Sequence, residues 1–182
     1  MMKKKQTVSH SDKNRKIKNA TPGFFDGIQF KSKAELNMYR YALREGIRLE
    51  YEPEKVILMK GDYPDNVQVW STYSRRGQAA VFQPDIRKLR DLTYTPDFVY
   101  RHGNVLDIIE VKGFRNDVYP VKRKLFIDYL NKSDHQGLEV RFFEVTTIHS
   151  MKKCIEEIKN KISHRAKAVN ALCAYLKAEK SN

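Results

Sequence analysis

The sequence has few cysteines and no long apolar run. Cys154 and Cys173 are its only two cysteines, and neither has a Cys or His nearby at metal-ligand spacing. Two cysteines make no disulfide framework, so both are expected to be reduced thiols in a reducing cytoplasm. No apolar run approaches the roughly 20 residues that a membrane-spanning helix needs, and the N-terminal lysines precede polar residues rather than the apolar stretch of a secretion signal. These absences favour a cytoplasmic location.

Acidic residues are scarce relative to basic ones: 22 Asp and Glu stand against 35 Lys and Arg, which gives a formal net charge of +13. Such an excess concentrates polyanions and favours DNA or RNA, or an anionic membrane surface, as a partner. The alternative is that the charge serves only solubility. Residues 1–20 carry seven basic residues and one acid, with too little apolar surface to fold alone. We predict a flexible basic arm there, which contacts phosphates or merely solubilises the chain.

The remaining residues suffice for one domain with a hydrophobic core. Their order predicts an α/β domain over residues 21–149, built on a mixed sheet flanked by helices, with an inserted segment at 60–92. The predicted elements are a helix from the N-cap Ser32 to about Glu45 that Gly46 ends, a β-rich stretch Ile47–Met59, a hairpin of Val67–Tyr73 and Ala79–Gln83, strands Leu92–Tyr100 and Asn104–Lys112 joined by a turn at His102–Gly103, a helix from Pro120 to about Asn131, and a strand Leu138–Val145.

Residues 150–182 are predicted to be a C-terminal helical extension. Apolar residues recur there at steps of three and four: Met151, Ile155, Ile158, Ile162, Ala166, Val169, Cys173 and Leu176. This spacing indicates an amphipathic helix, either continuous or broken near Ser163. A continuous helix would outreach a small domain and would pack part of its stripe on a second copy of the chain, giving a homodimer. Two shorter helices would instead fold onto the parent sheet.

Two neighbouring predicted strands carry ionisable residues at positions that would share one face of a hairpin. With a two-residue turn at His102–Gly103, Asp97 lies opposite Ile108 and Thr95 lies opposite Glu110. Residues two apart on a strand share a face, so Asp97, Glu110 and Lys112 are expected to project from one face. The two carboxylates would then be diagonal neighbours, about 7–8 Å apart at the backbone, which is close enough to grip one cation.

Two carboxylates that converge on a half-buried face repel each other unless a metal or a proton compensates. An oxygen-rich pair suits a hard divalent ion such as Mg²⁺, for which Mn²⁺ can substitute. Such an ion holds a phosphate oxygen and lowers the pKa of a bound water, which is the chemistry of phosphodiester hydrolysis. Lys112 would orient the attacking water, neutralise charge on the phosphate or act as a general base.

Glu35 is a further candidate ligand. It falls on the helical stripe that should face the core, where a carboxylate needs a partner. One interpretation is a capping box with Ser32, which serves only the helix terminus. The other makes Glu35 a ligand of the same metal or of a second one.

The pattern of a helical Glu, then Pro-Asp, then Glu-x-Lys resembles the PD-(D/E)XK nuclease superfamily. The closer resemblance is to bacteriophage endonuclease I, the Holliday-junction resolvase, and related phage nucleases. Four blocks in order carry it: Phe30-Lys31-Ser32-Lys33-Ala34-Glu35, Gly46-Ile47-Arg48-Leu49-Glu50-Tyr51-Glu52, Tyr94-Thr95-Pro96-Asp97-Phe98 and Glu110-Val111-Lys112-Gly113. The segment 60–90 is longer than its counterpart in those enzymes, and the C-terminal helical region has none.

The resemblance implies a restriction-endonuclease-like fold and a dimeric, metal-dependent DNA endonuclease that acts on branched DNA in recombination. It implies that Glu35, Asp97, Glu110 and the carbonyl oxygen of Val111 bind Mg²⁺, and that Lys112 assists catalysis. A phage origin would place the protein in the host cytoplasm. Five residues after the active strand are candidate DNA contacts: Arg115, Asn116, Lys122, Arg123 and Lys124. Trp70 either stacks on bases or, as lone tryptophans more often do, belongs to the core.

Two alternatives stay open. One is a restriction-like or nicking endonuclease, or a recombination exonuclease, on the same site. The other is a non-catalytic nucleic-acid-binding module that has kept the fold. The sequence does not separate a four-way junction from a duplex, a flap or RNA as substrate.

Overall fold

The computed structural model describes residues 21–74, 76–113 and 118–179, with the side chains of 175–179 excepted. The predicted basic arm at 1–20 lies outside these residues, as do the candidate DNA contacts Arg115 and Asn116 and the side chain of Leu176. Within the described residues no helix is both long enough and apolar enough to cross a membrane.

The described chain begins with a hairpin of two short strands, β1 (Gly23–Phe25) and β2 (Ile28–Phe30). Asp26 and Gly27 form its turn with φ of 53° and 78°, the left-handed conformation that a two-residue hairpin turn of this kind needs. Helix α1 (Lys33–Arg44) follows, with Ser32 as its N-cap. Gly46 takes a φ of 80° after the helix, so the predicted start and end of α1 are confirmed.

A four-stranded mixed sheet forms the centre of the domain. Its strands are β3 (Glu50–Tyr51), β8 (Phe98–His102), β9 (Val105–Val111) and β10 (Glu139–Val145), in the order β10-β9-β8-β3. β9 and β10 are parallel, and the other two pairs are antiparallel. Helix α2 (Tyr119–Lys132) connects β9 to β10. The predicted α/β class with a mixed sheet flanked by helices is therefore confirmed.

Helices cover both faces of this sheet, which explains why β9 is buried along almost its whole length. One core cluster joins Phe98 and Ile109 of the sheet to α1 and to the C-terminal helix, α3 (Ile148–Glu179). The second joins Ile108 to Tyr94 and to Phe126 of α2. Alternate residues of β9 therefore feed different clusters, as the two-residue period of a strand requires.

The turn between β8 and β9 lies one residue later than the sequence suggested. His102 pairs with Val105, so Gly103 and Asn104 form the turn, and the prediction of a His102–Gly103 turn is wrong. Gly103 has a φ of 57°, which a glycine adopts without strain. Either pair of residues satisfies a tight turn, and pairing along the whole hairpin selects between them.

The predicted strand Leu92–Tyr100 is two strands. β7 (Leu92–Tyr94) pairs with β4 (Val56–Met59), whereas β8 begins at Phe98 and belongs to the central sheet. Pro96 lies in the break and has no N–H to donate to a sheet ladder, which favours the interruption. β7 ends at Tyr94 and β8 begins at Phe98, so Asp97 lies in the break between the two sheets.

The inserted segment contains the predicted hairpin, with strands β5 (Trp70–Tyr73) and β6 (Val81–Pro84). Trp70 is 50% exposed, so its assignment to the core is wrong. The indole packs on Phe82 across the hairpin, with ring centroids 5.6 Å apart, and Phe82 is itself exposed. The hairpin thus presents its own small aromatic surface rather than adding to either core cluster.

Helix α3 is continuous and, at about 1.5 Å per residue, its 32 residues span about 48 Å. α3 is therefore the single continuous helix rather than two shorter ones. Cys154, Ile155 and Ile158 are buried against the parent core, and Ile162 packs beside them. Residues 166–174 are all exposed. The first half of α3 therefore belongs to the domain, and the second half projects from it.

Candidate metal-binding and catalytic cleft

All four of the predicted chemical residues line a single cleft of about 610 Å³. The cleft lies where the N-terminus of α1 approaches the break before β8, the end of β9 and the start of α2. Its lining residues are Lys31, Glu35, Glu52, Thr93, Tyr94, Thr95, Asp97, Glu110, Lys112, Val118, Tyr119 and Lys122. We call it the carboxylate cleft.

Asp97 and Glu110 are directly opposite each other on the two strands rather than diagonal neighbours. Phe98 pairs with Ile109, and continuing that register by one residue places Asp97 opposite Glu110. Moving the turn by one residue changes each pairing by two positions, and a shift of two keeps every side chain on its face. The predicted pairing is therefore wrong, but Asp97, Glu110 and Lys112 still share one face of the hairpin.

The two carboxylates differ in their partners. One oxygen of Asp97, Oδ2, accepts a hydrogen bond of 2.7 Å from the backbone N–H of Val111. Glu110 is only 2% exposed and forms an ion pair with Lys112 through Oε1. Its other oxygen, Oε2, is buried without a hydrogen-bond partner among the described residues. A buried carboxylate oxygen without a donor is costly, so Oε2 is open to a cation or a further donor. The Tyr94 hydroxyl, which is also buried without a partner in good geometry, is close enough to interact with Glu110.

Tyrosines form one wall of the carboxylate cleft and are contributors that the sequence pattern did not indicate. The Tyr94 ring stacks on Phe126 with centroids 4.3 Å apart, and burial followed by the charge of Glu110 raises the pKa of its hydroxyl far above the usual range. The ammonium of Lys112 lies 4.8 Å from the centre of the Tyr119 ring. Tyr119 and Tyr94 thereby confine Lys112 and Glu110 to the floor of the cleft.

Glu35 is engaged through both of its oxygens. Oε1 accepts from the hydroxyl of Ser32 at 2.7 Å, while the Glu35 N–H donates to that same hydroxyl oxygen at 3.2 Å. Oε2 accepts from the Tyr51 hydroxyl at 2.7 Å and from the Lys31 N–H at 3.1 Å. This is a variant of the capping box, since the side chain reaches the amide before the N-cap residue. Binding a metal would require Glu35 to exchange at least one of these donors.

The predicted DNA contacts on α2 have different surroundings. Lys122 lines the carboxylate cleft and donates to the carbonyl oxygen of Thr93 at 3.1 Å. Arg123 forms an ion pair with Glu144 at 2.8 Å, and Lys124 is exposed. Lys122 is thus the member of this group that the structure brings to the cleft.

Asp97 is the group in the cleft whose protonation is most clearly displaced. Burial, and then the negative charge of Glu110, raise the pKa of Asp97 to about 7, against the opposing effects of the Val111 N–H and the Lys112 ammonium. Without a cation, the cleft therefore favours the protonated form of Asp97 in weakly acidic solution. A divalent cation would reverse this preference.

This displacement predicts a pH dependence of stability in metal-free protein. An acid whose folded pKa of about 7 exceeds its ordinary value of 3.8 loses its proton more readily on unfolding, so stability should fall as the pH rises from about 4 to about 7. Each unit between the two pKa values is worth about 1.4 kcal/mol. Urea unfolding in EDTA should show this fall in the native protein and a smaller one in Asp97→Asn. Parallel curves for the two proteins would contradict it.

Among the described residues, no group of three or more His, Cys, Asp and Glu side chains stands close enough to hold a metal ion. The residues nevertheless fit a hard divalent cation. Mg²⁺ usually keeps several waters and is held by only one or two carboxylates, and the cleft supplies Asp97 and Glu110, the latter with a buried oxygen that lacks a donor. The Val111 carbonyl and a released Glu35 are the further ligands that the resemblance implies.

The fold and the cleft together define a mixed α/β protein with a level carboxylate pair and an adjacent lysine. Comparison with protein families matches residues 15–142 to the family described as "Protein of unknown function (DUF1064)". The match covers more than half of the chain, which therefore belongs to this family. Comparison with curated proteins and with solved structures gave no match.

Proposed function

We propose that this protein is a Mg²⁺-dependent endonuclease of the PD-(D/E)XK type that hydrolyses DNA phosphodiester bonds. One observation carries the proposal: Asp97 and Glu110 stand level on a paired hairpin in a half-buried cleft, with Lys112 on the same face and a Glu110 oxygen left without a donor. The formal net charge of +13 supplies the attraction for a polyanion.

In this proposal Asp97 and Glu110 hold the cation, and the cation, when bound, polarises the scissile phosphate and lowers the pKa of the attacking water. Val111 fixes the orientation of Asp97 through its N–H, so the carboxylate is aligned before any ligand arrives. Lys112 is held by Glu110 and beside Tyr119. Glu110 would offer its unpaired Oε2 to the cation while Oε1 keeps Lys112 on the same face, where its charge would stabilise the phosphate.

The substrate strand would enter along the open side of the carboxylate cleft. Lys122 at its rim supplies a contact to the sugar-phosphate backbone, whereas the exposed Lys124 lies about 200° away around α2 and does not line the cleft. Tyr94, Tyr119 and Glu110 are all buried, so the interactions of the Glu110 carboxylate are little screened by water. Branched DNA, such as a four-way junction, is the substrate class that the resemblance suggests.

The direct test is incubation with Mg²⁺ or Mn²⁺ and matched four-way junction, linear duplex, nicked and single-stranded DNA. We expect metal-dependent cleavage that EDTA abolishes, with the junction cut fastest. Mg²⁺ should also raise the unfolding temperature of the native protein but not that of Asp97→Asn, because a ligand stabilises only the state that binds it. Failure of every DNA to be cut, together with no thermal shift, would refute the proposal.

A non-catalytic nucleic-acid-binding module is the second candidate. It is favoured by the complete hydrogen bonding of Glu35 and by the lack of a three-ligand cluster among the described residues. The same assay separates the two candidates, because such a module would retain DNA under EDTA and would cut nothing with either metal.

We further propose that two chains associate through the projecting half of α3. Val169 and Leu172 are each more than half exposed, and Cys173 continues their stripe at helical spacing. Ile158, in contrast, is fully buried in the parent core, so the proposed contact between the two chains begins only beyond Ile162. A second copy is the occupant that suits the proposed chemistry, since paired cuts in two strands need two active sites.

The double substitution Val169→Asp and Leu172→Asp should convert a dimer into a monomer that nicks one strand but seldom completes paired cuts. Asn170→Asp, which lies off the stripe, is the matched control and should leave the dimer intact. Analytical ultracentrifugation measures the assembly, and a nicked-circle assay measures the cuts. A native protein that sediments as a monomer with and without DNA would disprove the association.

A further inference from the structure

A second cavity, of about 680 Å³, adjoins the carboxylate cleft through a shared residue. Lys112 lines both. This cavity, which we call the side cavity, lies between α1, the ends of β9 and β10, and the start of α3. Most of its wall is apolar, from Phe25, Leu43, Val111, Val145, Ile148 and Met151. The side cavity therefore offers an apolar space immediately beside the residues proposed to act on a phosphate.

Two cations stand at the mouth of the side cavity. Arg40 and Arg44 are exposed residues of α1, one helical turn or about 6 Å apart along its axis. Arg40 lies over the Phe25 ring at 5.2 Å, and Arg44 lies over the Tyr41 ring at 5.5 Å. Neither guanidinium pairs with an acidic side chain among the described residues. Each is thus held in place by an aromatic ring while its charge stays available.

We propose that the side cavity receives an unstacked nucleobase of the substrate strand, next to the phosphate that is cut. This inference rests on the proposed nuclease function and extends it to the substrate class. An apolar pocket with a few placed polar groups suits a flat ring, and pockets for small ligands span about 300–1,000 Å³. Arg40 and Arg44 hold the phosphate that flanks the base, because guanidinium pairs well with phosphate oxygens.

The position of Lys112 places the side cavity next to the phosphate that is cut. Because Lys112 lines both spaces, the nucleotide next to a phosphate bound at Lys112 is within reach of the side cavity. The neighbouring nucleotide then meets apolar wall on one side and the two arginines on the other. The basic arm at residues 1–20 is a poor occupant of the same space, since its excess of positive charge is repelled by Arg40, Arg44 and Lys112.

Filling the side cavity requires a base that has left its stack. Extracting a paired base carries an unfavourable energy that is smallest for mismatched or already single-stranded nucleotides. The side cavity therefore selects DNA with unpaired nucleotides beside the cut, such as branch points and single-stranded ends, over an intact duplex. Selection would act through a single base rather than through the overall shape of the DNA.

The test measures binding in EDTA, so that it does not depend on cleavage. The probes are a short oligothymidylate and a strand of equal length in which every nucleotide is abasic, which keep the same phosphates. We expect the native protein to prefer the thymidylate by about tenfold, the size expected when one base stacks in a protein site. Equal binding of the two strands would overturn the proposal.

Two variants place the preference in the side cavity. Ala34→Trp adds a ring from an exposed lining position and should abolish the preference for the thymidylate. Ile148→Trp, from a residue that is 72% exposed at the same cavity, repeats the test if the first variant does not fold. Ala168→Trp, on the projecting part of α3, is the matched control and should keep the preference. A preference that survives in a folded Ala34→Trp or Ile148→Trp protein would overturn the proposal.

The arginines give an independent readout. Replacing both Arg40 and Arg44 by alanine should weaken binding of the two strands by a similar factor, since the abasic strand retains every phosphate. Arg90→Ala removes an exposed arginine that does not line the side cavity and should leave the affinities nearly unchanged. A protein that cuts DNA with Mg²⁺ but shows no base preference would keep the nuclease proposal and refute the nucleobase site. A base preference without cleavage of any DNA would keep the nucleobase site and refute the nuclease proposal.

Discussion

Alanine at Asp97, Glu110 or Lys112 should slow cleavage by a factor of about 10²–10³ while leaving DNA binding largely intact. Asp97 and Glu110 supply the oxygens for the cation, and Lys112 supplies the charge beside the phosphate. Loss of one such group removes about 3–4 kcal/mol of transition-state stabilisation, or a factor of about 10²–10³ in rate, as for single donors in other active sites. Attraction to phosphate should persist, because removing a carboxylate from a basic protein does not weaken it and Lys112 is one of 35 Lys and Arg residues.

Single-turnover cleavage with Mg²⁺ measures this effect, and a filter-binding assay in EDTA measures affinity. Asp97→Asn and Glu110→Gln keep the shapes of the side chains and should be as inactive as the alanine variants. Glu54→Ala removes an exposed carboxylate outside the cleft and is the matched control. Cleavage by Asp97→Ala at near-native rates would end the assignment of this cleft as a nuclease site.

The second large effect concerns a buried ionic cluster on the opposite face of the hairpin. Asp107 is fully buried and accepts from Arg141 at 2.6 and 2.8 Å and from His102 at 2.8 Å. Arg141→Met should destabilise the domain by about 3–5 kcal/mol, because it leaves a buried carboxylate without its main partner. Replacing both members, Asp107→Leu with Arg141→Met, should recover most of that loss.

Urea unfolding followed by circular dichroism measures these changes. Lys161→Met breaks the surface pair between Lys161 and Glu139 and should change stability far less, because both side chains remain partly solvated. If Arg141→Met unfolds at the same urea concentration as Lys161→Met, the cluster does not support the fold. Cleavage by the folded double variant should be close to native, since the cluster lies on the other face of β9.

The carboxylate cleft could be anticipated because its residues are close in sequence. Asp97, Glu110 and Lys112 lie on one hairpin, and the alternation of side chains fixes their shared face whichever residues form the turn. The position of the turn is not encoded locally, because Gly103 fits either the second or the first position of a two-residue turn. The hairpin at Asp26–Gly27 was missed although its dipeptide is a strong turn signal, since only three residues flank it on each side.

Other features depend on contacts that no local pattern encodes. Asp107 is read from the sequence as one more polar residue in a strand, and its meaning comes from Arg141, 34 residues away on β10. The Tyr51 hydroxyl that occupies Glu35 arrives from β3 for the same reason. A lone tryptophan such as Trp70 more often belongs to the core, which is why the sequence favours that prediction. In the inserted hairpin, Trp70 packs on Phe82 instead of entering a core cluster.

The position of β10 at the border of the sheet has a consequence for aggregation. A border strand of seven residues exposes backbone donors and acceptors that another unfolding chain can pair with. Charged residues that point inward from such a strand discourage this growth, because a stacked copy would have to bury them without partners. Arg141 occupies such a place. The double variant that restores the stability of a single molecule should therefore form β-rich aggregates at lower protein concentrations than the native chain does.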